Sequence, residues 1–393
     1  MSTSPENRHI PFFRHDLGAP ELKMVAEVLA QPILTTGAYV EEFEARLAEF
    51  LGVRHVLAVT SCTGALHMSL LALGIGPGDE VITTPMTYVA TATAIIEAGA
   101  VPVFVDVEPA TGNIDPNKVE AAITPRTRAI LPVHLYGMMV DMAALRDIAD
   151  RHGLEIVEDA AHCLEGRRDN IRPASHSATA CFSFYATKNL TCGEGGAVAT
   201  NDPKLYESLR LLRHHGVNKN AYDRHREGYS HWDMVVMGWK YNMSNIEAAL
   251  MLPQLARLER KLAERQALAA RYAAALRAVQ GVRIPAQSAG RDSVHCHHVF
   301  PVLIDGGRRD AIVAALRQAK VETVVNYQPV HLNTYFREKF GHREGDFPIA
   351  ERIGAECLSL PFYPGMPPED VDLVVDRLAK VLAAGLVSEI DFR

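Results

Sequence analysis

None of the six cysteines, Cys62, Cys163, Cys181, Cys192, Cys296 and Cys357, stands in a CxxC pair. That spacing excludes a zinc knuckle and gives no sign of a disulfide framework, so reduced, mostly buried thiols are expected. Long runs of one charge are also missing: 40 Lys and Arg against 47 Asp and Glu leave a net charge of −7. Mixed charge of this kind lacks the electrostatic footprint of a nucleic-acid or anionic-membrane binder. The most apolar window, Tyr88 to Val105, is interrupted by Thr91, Thr93, Glu97, Gly99 and Pro102, which argues against a membrane-spanning helix. The opening MSTSPENRHIPFFRHDLG has no cationic region leading into an apolar one, so no signal peptide is expected and a cytoplasmic location is. GxSxG and P-loop patterns do not occur, and GEGG (193–196) lacks the GxGxxG spacing of a dinucleotide fold.

What is present is an ordinary globular composition, 48% hydrophobic and 22% charged over 393 residues, enough for two domains and a large core. From residue 55 the pattern alternates. HVLAVT (55–60), VPVFVDV (101–107), AILPVHLYG (129–137), LEIVEDA (154–160), CFSFYA (181–186) and GGAVAT (195–200) read as strands, and GPGDEVITT (76–84) as a turn and strand. Helical segments fall between most of them, which predicts an α/β fold with a mostly parallel sheet covered on both faces. A loop over 217–243 is expected next, long enough to suggest function. SNIE (244–247) matches a capping box that opens a helical segment running to Val279, with Pro253 as a kink. The domain boundary is placed there: residues 1–250, with an N-terminal helix, form a large domain, and 251–393 a smaller α+β domain. The latter is expected to contain strands 297–304 and 321–327 and helices near 308–319, 348–358 and 368–384.

Ligands of a parallel sheet bind beyond the carboxyl ends of its strands, where three stretches carry chemistry. SCTGAL puts Ser61 and Thr63 at a helix N-terminus, which reads either as a cap or as an anion site. EDAAH puts Glu158, Asp159 and His162 after an apolar strand; a carboxylate there either caps a loop or holds a proton on a buried heteroaromatic nitrogen. CFSFYATKNLTCGEGG places Lys188 after an apolar run and before three glycines, where a desolvated amine becomes a nucleophile toward carbonyls. Lysine, acidic partner and anion site together describe a pocket for pyridoxal phosphate. HCHH (295–298) has metal-binding residue types, but strand alternation sends neighbours to opposite faces, so no metal site is expected.

Residues in order along nearly the whole chain resemble the DegT-type sugar-nucleotide aminotransferases of the fold type I pyridoxal phosphate enzymes. They are LTTGAYVEEFE (34–44), TSCTGALH, ALGIGPGDEVIT, VFVDV, ITPRTRAILPVHLYG, VEDAAH, FSFYATKNLTCGEGG, LRHHG, GWKYNMSNIEAAL and SLPFYP. KNLTCGEGG, HHGVNKNAYDR and GWKYNMSNIEAAL look closest to the subgroup that aminates the 4-keto group of a UDP-4-keto-pentose on the route to aminoarabinose. The resemblance implies that Lys188 is the catalytic lysine and that Asp159 pairs with the cofactor's ring nitrogen. Thr63, Gly64 and Ser183 would hold the phosphate, with Asn242 reaching in from a second subunit, so a homodimer with shared sites is implied. Tyr88 would stack on one face of the ring and His162 lie on the other. Thr35, Thr36, Lys240 and His331 are implied as substrate contacts.

The same resemblance implies transfer of an amino group from L-glutamate, released as 2-oxoglutarate, to the keto carbon, C4 rather than C3, of a nucleotide-diphosphate-linked ketosugar. Aminosugar and cell-surface glycan biosynthesis would be its setting. Two alternatives share the scaffold: a pyridoxal-phosphate-dependent sugar dehydratase, whose relatives carry histidine at the lysine position, and a non-catalytic cofactor-binding regulator. One stretch departs from the family pattern: CLEGRRDNIRPASHSATAC (163–181) replaces a Gly-Ser-rich approach to the FSF strand. Arg167, Arg168 and Arg172 there read either as an anion site or as solvated arginines.

Overall fold

Period-two alternation of apolar side chains builds one sheet with two buried faces. The computed structural model describes residues 7–218 and 231–390, with side chains described through residue 384. Its large sheet has seven strands: β1 (His55–Val59), β2 (Glu80–Thr83), β3 (Val101–Phe104), β4 (Thr127–Leu131), β5 (Glu155–Asp159), β6 (Thr179–Ser183) and β7 (Gly196–Thr200). Their spatial order is β1-β7-β6-β5-β4-β2-β3. Pairing is parallel except on either side of β7, which runs against β1 and β6. The expected mostly parallel sheet sandwiched by helices, the fold type I arrangement, is therefore found.

Helices cover both faces: α1 (Ala19–Leu29), α2 (Ala38–Leu51), α3 (Cys62–Ala72), α4 (Val89–Glu97), the single turn α5 (Pro116–Val119), α6 (Met142–His152), α7 (Pro203–Leu212) and α8 (Asn245–Leu255). Leu57, Val59, Val81, Leu131, Val157, Cys181 and Val198 point to one face and pack with Leu66 and Leu70 of α3, Ile95 of α4 and Leu209 of α7. Their neighbours point the other way: Val56, Ala58, Ala180 and Phe182 meet Phe43 and Leu47 of α2, while Ile82, Ile130 and Ile156 meet Leu145 and Ile148 of α6. Each fully buried side chain of this size contributes roughly 1.5–3 kcal/mol. Helix starts follow side-chain caps. Ser61, Asp141 and Asp202 accept backbone N–H groups of α3, α6 and α7, and Ser244 with Glu247 forms the expected capping box of α8.

The C-terminal part comprises α9 (Leu258–Leu276), β8 (Val282–Arg283), β9 (Phe300–Ile304), α10 (Arg309–Gln318), α11 (Thr334–Phe340), α12 (Pro348–Glu356), β10 (Cys357–Leu360) and α13 (Pro368–Ile390). The strands form a separate antiparallel sheet, β10-β9-β8. Its core joins Tyr272 of α9, Phe300 of β9, Leu316 of α10 and Val374 of α13 with Ile10 of the N-terminal segment, whose backbone pairs with Lys320 and Glu322.

Three local expectations are corrected. The segment 245–279 is two helices rather than one kinked helix: Pro253 sits inside α8, and the chain turns at Ala256–Arg257, where Arg257 pairs with Glu21 of α1. The segment 321–327 forms no ladder; Val321 and Val324 each make an isolated bridge, to Ile10 and Ser359. The helix expected over 348–358 ends at Glu356, because the next four residues pair with β9 as β10. Of the expected loop 217–243, residues 219–230 lie outside the described residues. No helix among the described residues is long and apolar enough to cross a membrane.

Candidate active site

The carboxyl ends of β1, β5 and β6 and the start of β7 share one edge of the sheet, as the Val59–Gly196 and Ser183–Gly196 pairings require. At Gly196 an added Cβ would lie 2.4 Å from the carbonyl carbon of Ser61 and 2.5 Å from the nitrogen of Cys62. Glycine at this position lets the turn into α3 settle against β7, which brings the helix N-terminus to the edge where Lys188 lies. Above that edge is a cavity of about 560 Å³. Ser61, Thr63, Tyr88, His162, Ser183 and Lys188 all line it.

Lys188 follows β6 in a tight turn, its N–H donating to the Tyr185 carbonyl at 2.9 Å. Burial lowers its amine to about 8, against the opposing pull of Cys62 and Asp159. An amine that releases its proton close to neutral pH is what a carbonyl nucleophile and proton carrier needs. Asp159 ends β5; Thr91 donates to its Oδ2 at 2.8 Å and the Ala161 N–H to its Oδ1 at 3.1 Å. Burial raises its carboxyl above the usual range despite those bonds. A buried carboxylate held that way is relieved by a cationic partner, such as a protonated ring nitrogen. His162 is buried, its pKa pushed well down by burial and then by Lys188.

These residues fit pyridoxal phosphate. A buried amine, a buried carboxylate that sits just behind the wall at Cys62 and needs a cation, and a helix N-terminus flanked by Ser61, Thr63 and Ser183 supply a carbonyl partner, a ring-nitrogen partner and an anion cradle. Buried polar atoms at the cavity without a protein partner among the described residues, His298 Nδ1 and Asn326 Oδ1, add further capacity for a ligand.

Not every expected residue reaches the cavity wall. Gly64 lies behind it, its N–H donating to Ser61 Oγ at 3.0 Å, and an added Cβ would lie 3.3 Å from the Tyr241 ring. Thr36, Lys240 and Asn242 gather elsewhere, beside Arg213 and His214; Asn242 Nδ2 donates to Thr36 Oγ1 at 2.7 Å, and Lys240 Nζ to Asn242 Oδ1. Thr35 is exposed next to this group. His331 is fully buried in the C-terminal part, 3.0 Å from Glu351 and edge-on to Phe347, and lines neither place. Arg168 pairs with Asp141, and Arg172 donates to the Phe50 carbonyl and lies over the Phe50 ring, so both have structural partners. His295 and His297 stack on each other, whereas His298 faces the cavity and packs against His162. No group of three or more His, Cys, Asp or Glu suited to a metal occurs among the described residues. All six cysteines are buried and free.

Sequence reasoning missed Phe12, Phe13, Tyr185, His298, Asn326 and Tyr327, which also line the cavity. His298 carried a signal in the alternation within HCHH and Tyr185 stands inside the lysine stretch, whereas Phe12, Phe13, Asn326 and Tyr327 come from segments without a chemical pattern.

The family model described as DegT/DnrJ/EryC1/StrS aminotransferase family matches residues 15–379. The spore coat polysaccharide biosynthesis protein SpsC of Bacillus subtilis (strain 168) is 40% identical over 382 residues, covering 96% of this chain and 98% of that one. Among solved structures, DesV of S. venezuelae superposes with a TM-score of 0.88 at 37% identity, over 95% of this chain and 98% of that one. The PMP-form of the putative sugar aminotransferase Spr1654 of Streptococcus pneumoniae gives 0.89 at 29% identity, again over 95% and 98%. With a family match spanning almost the whole length and a buried, carbonyl-competent lysine at the carboxyl edge of the sheet, this chain belongs to the DegT/DnrJ/EryC1/StrS aminotransferase family.

Proposed function

We propose that this aminotransferase moves an amino group from L-glutamate to the keto carbon, C4 rather than C3, of a ketosugar carried on a nucleoside diphosphate. The cofactor is pyridoxal phosphate, which when bound supplies an electron sink that lets the donor's α-proton leave. The observation that carries the reading is the Lys188 amine, lowered to about 8 in a cavity whose wall also holds the α3 N-terminus. Its Nζ would hold the cofactor until the donor displaces it and, once free, would carry a proton from the donor's α-carbon to the cofactor and, in the second half, from the cofactor to the sugar's keto carbon. Asp159 keeps the ring nitrogen protonated, and Ser61, Thr63 and Ser183 orient the phosphate. Tyr88 and His162, both in the wall, shield the two faces from water.

A sugar acceptor is supported by relatives named for spore coat polysaccharide biosynthesis and sugar amination. Aromatic walls at Phe12, Tyr88, Tyr185 and Tyr327 suit a sugar and a base. The working unit is a homodimer in the cytoplasm. Thr36, Lys240 and Asn242 stand away from their own chain's cavity, which suits service to a second subunit's site, and the neighbouring Trp232, Met234, Val235, Val236 and Met237 are 42–62% exposed, an apolar stretch that suits coverage by that subunit. Residues 1–250 and 251–393 act as the two domains.

The test is the visible absorption spectrum of protein reconstituted with pyridoxal phosphate, before and after L-glutamate, followed by a panel of UDP-, dTDP- and GDP-linked ketosugars with the products located by NMR. Loss of the visible band on adding glutamate and amination of one acceptor at C4 are expected. A band indifferent to glutamate, or failure of every acceptor, sinks the reading.

A further inference from the structure

Directly after Lys188, the Asn189 side chain enters a closed ring of polar bonds that joins the two parts of the molecule. Its Nδ2 donates to Glu165 Oε2 at 3.2 Å and to the Cys296 carbonyl at 3.3 Å. Arg265 of α9 closes the ring from the other side: its Nη2 pairs with Glu165 Oε1, and its Nε donates to the same Cys296 carbonyl at 3.0 Å. Glu165 is 6% exposed and Arg265 1%. A buried ion pair is seldom retained for stability alone, since apolar residues of equal volume serve as well or better.

The ring's location points to what it does. Glu165 lies three residues after His162, Asn189 one after Lys188, and Cys296 two before His298, and all three of those neighbours line the cavity. The ring therefore locks the three segments that carry cavity side chains, two from the large sheet and one from the C-terminal part, at a single point behind the wall. Lys188 Nζ would release its partner in the first half of a two-step transfer and recapture it only at the end of the second, and a flexible four-carbon stem cannot by itself return the amine to one place. Its backbone has to be fixed from behind.

We propose that Asn189 is a positioning residue for Lys188: anchored by its own bonds to Glu165 and the Cys296 carbonyl, it sets the lysine backbone against the segment that carries His298. The proposal rests on the transaminase reading above.

Two variants separate positioning from folding. Asn189→Ala removes the anchor and leaves the Glu165–Arg265 pair in place. Arg265→Lys keeps the buried charge and both bonds of Asn189, while giving up the fork that reaches Glu165 and Cys296 together. Asn189→Ala should lower kcat by about 10–100-fold, with KM for L-glutamate changed by no more than about threefold, since a displaced reacting group costs rate rather than binding. It should also shift the pH midpoint of the visible band of the pyridoxal-phosphate-loaded protein by about half a unit or more. Arg265→Lys should lower Tm further than Asn189→Ala does, yet keep kcat within about twofold and leave the midpoint in place. Wild-type kcat and midpoint in Asn189→Ala would overturn the proposal, as would losses of kcat that track Tm in both variants. As a readout independent of transamination, trinitrobenzenesulfonate modification of Lys188 in the full chain without added cofactor, followed on its peptide by mass spectrometry, should change in rate in Asn189→Ala and not in Arg265→Lys. If the wild type forms no visible band, the functional reading fails, and this labelling rate alone judges Asn189.

Discussion

His162 Nε2 lies 3.1 Å from the Tyr327 hydroxyl, a contact between residues 165 positions apart that closes one side of the cavity. The Tyr136 N–H donates to the other ring nitrogen, Nδ1, at 3.3 Å, which assigns the proton of the neutral imidazole to Nε2. The histidine therefore donates to the tyrosine, and its orientation is fixed from both ends.

Tyr327→Phe removes the acceptor and leaves a buried donor without a partner. A stability loss of about 1–3 kcal/mol is expected. Urea denaturation of the two proteins checks it, and a smaller loss in a His162→Phe background would show that the two residues act as a pair.

Lys188→Ala should abolish turnover and the visible band given by lysine-bound cofactor, while cofactor retained through the α3 N-terminus remains detectable by equilibrium dialysis. In the wild-type chain without cofactor, labelling of Lys188 by an amine reagent should rise with pH through about 8. The unfolded chain keeps its lysine protonated to about 10.4, so it binds more protons across that interval. Stability of the cofactor-free protein attributable to this group should therefore rise with pH from about 8 upward.

Gly196→Ala forces a Cβ into the backbone of Ser61 and Cys62, which cannot yield as a side-chain end would. A stability loss of about 1–3 kcal/mol is expected. Because the turn that moves is the one opening α3, affinity for pyridoxal phosphate should fall in the same variant, as fluorescence titration would reveal.

Acid should destabilise the protein well above the carboxylate range. Burial depresses His162, His295 and His298 well below their ordinary value and His297 to about 4. Between about 6.5 and 4 the unfolded chain binds protons that the folded one refuses, so stability is lost as pH falls through that window. Tm measured from neutral pH to pH ~4.5 tests this, and His295→Phe should flatten the slope.

The large sheet was legible because its strands are short apolar runs closed by Gly, Asp or Thr, and strand direction followed from the intervening helices. The C-terminal part was less so. The residues VETVVNY have strand composition yet find only isolated bridges, at Ile10 and Ser359, while CLSL, hidden at the end of a helical pattern, became β10 because Phe300–Ile304 offered an edge.

At the site, Ser61, Thr63, Asp159, His162 and Lys188 each sit in a local pattern, at a strand end or a helix cap, whose geometry a few neighbouring residues dictate; Tyr88 and Ser183 were named only through the family resemblance. The placement of the patterned residues on one sheet edge was thus determined by sequence alone. Tertiary structure decided that Tyr327 meets His162, that His331 is buried against Glu351, and that Asn189 ties into Glu165 and the Cys296 carbonyl. Those contacts span 165, 20, 24 and 107 residues. No periodicity or capping rule reaches across chain segments in that way; such partners are chosen when buried polar groups, shut off from water, must satisfy one another.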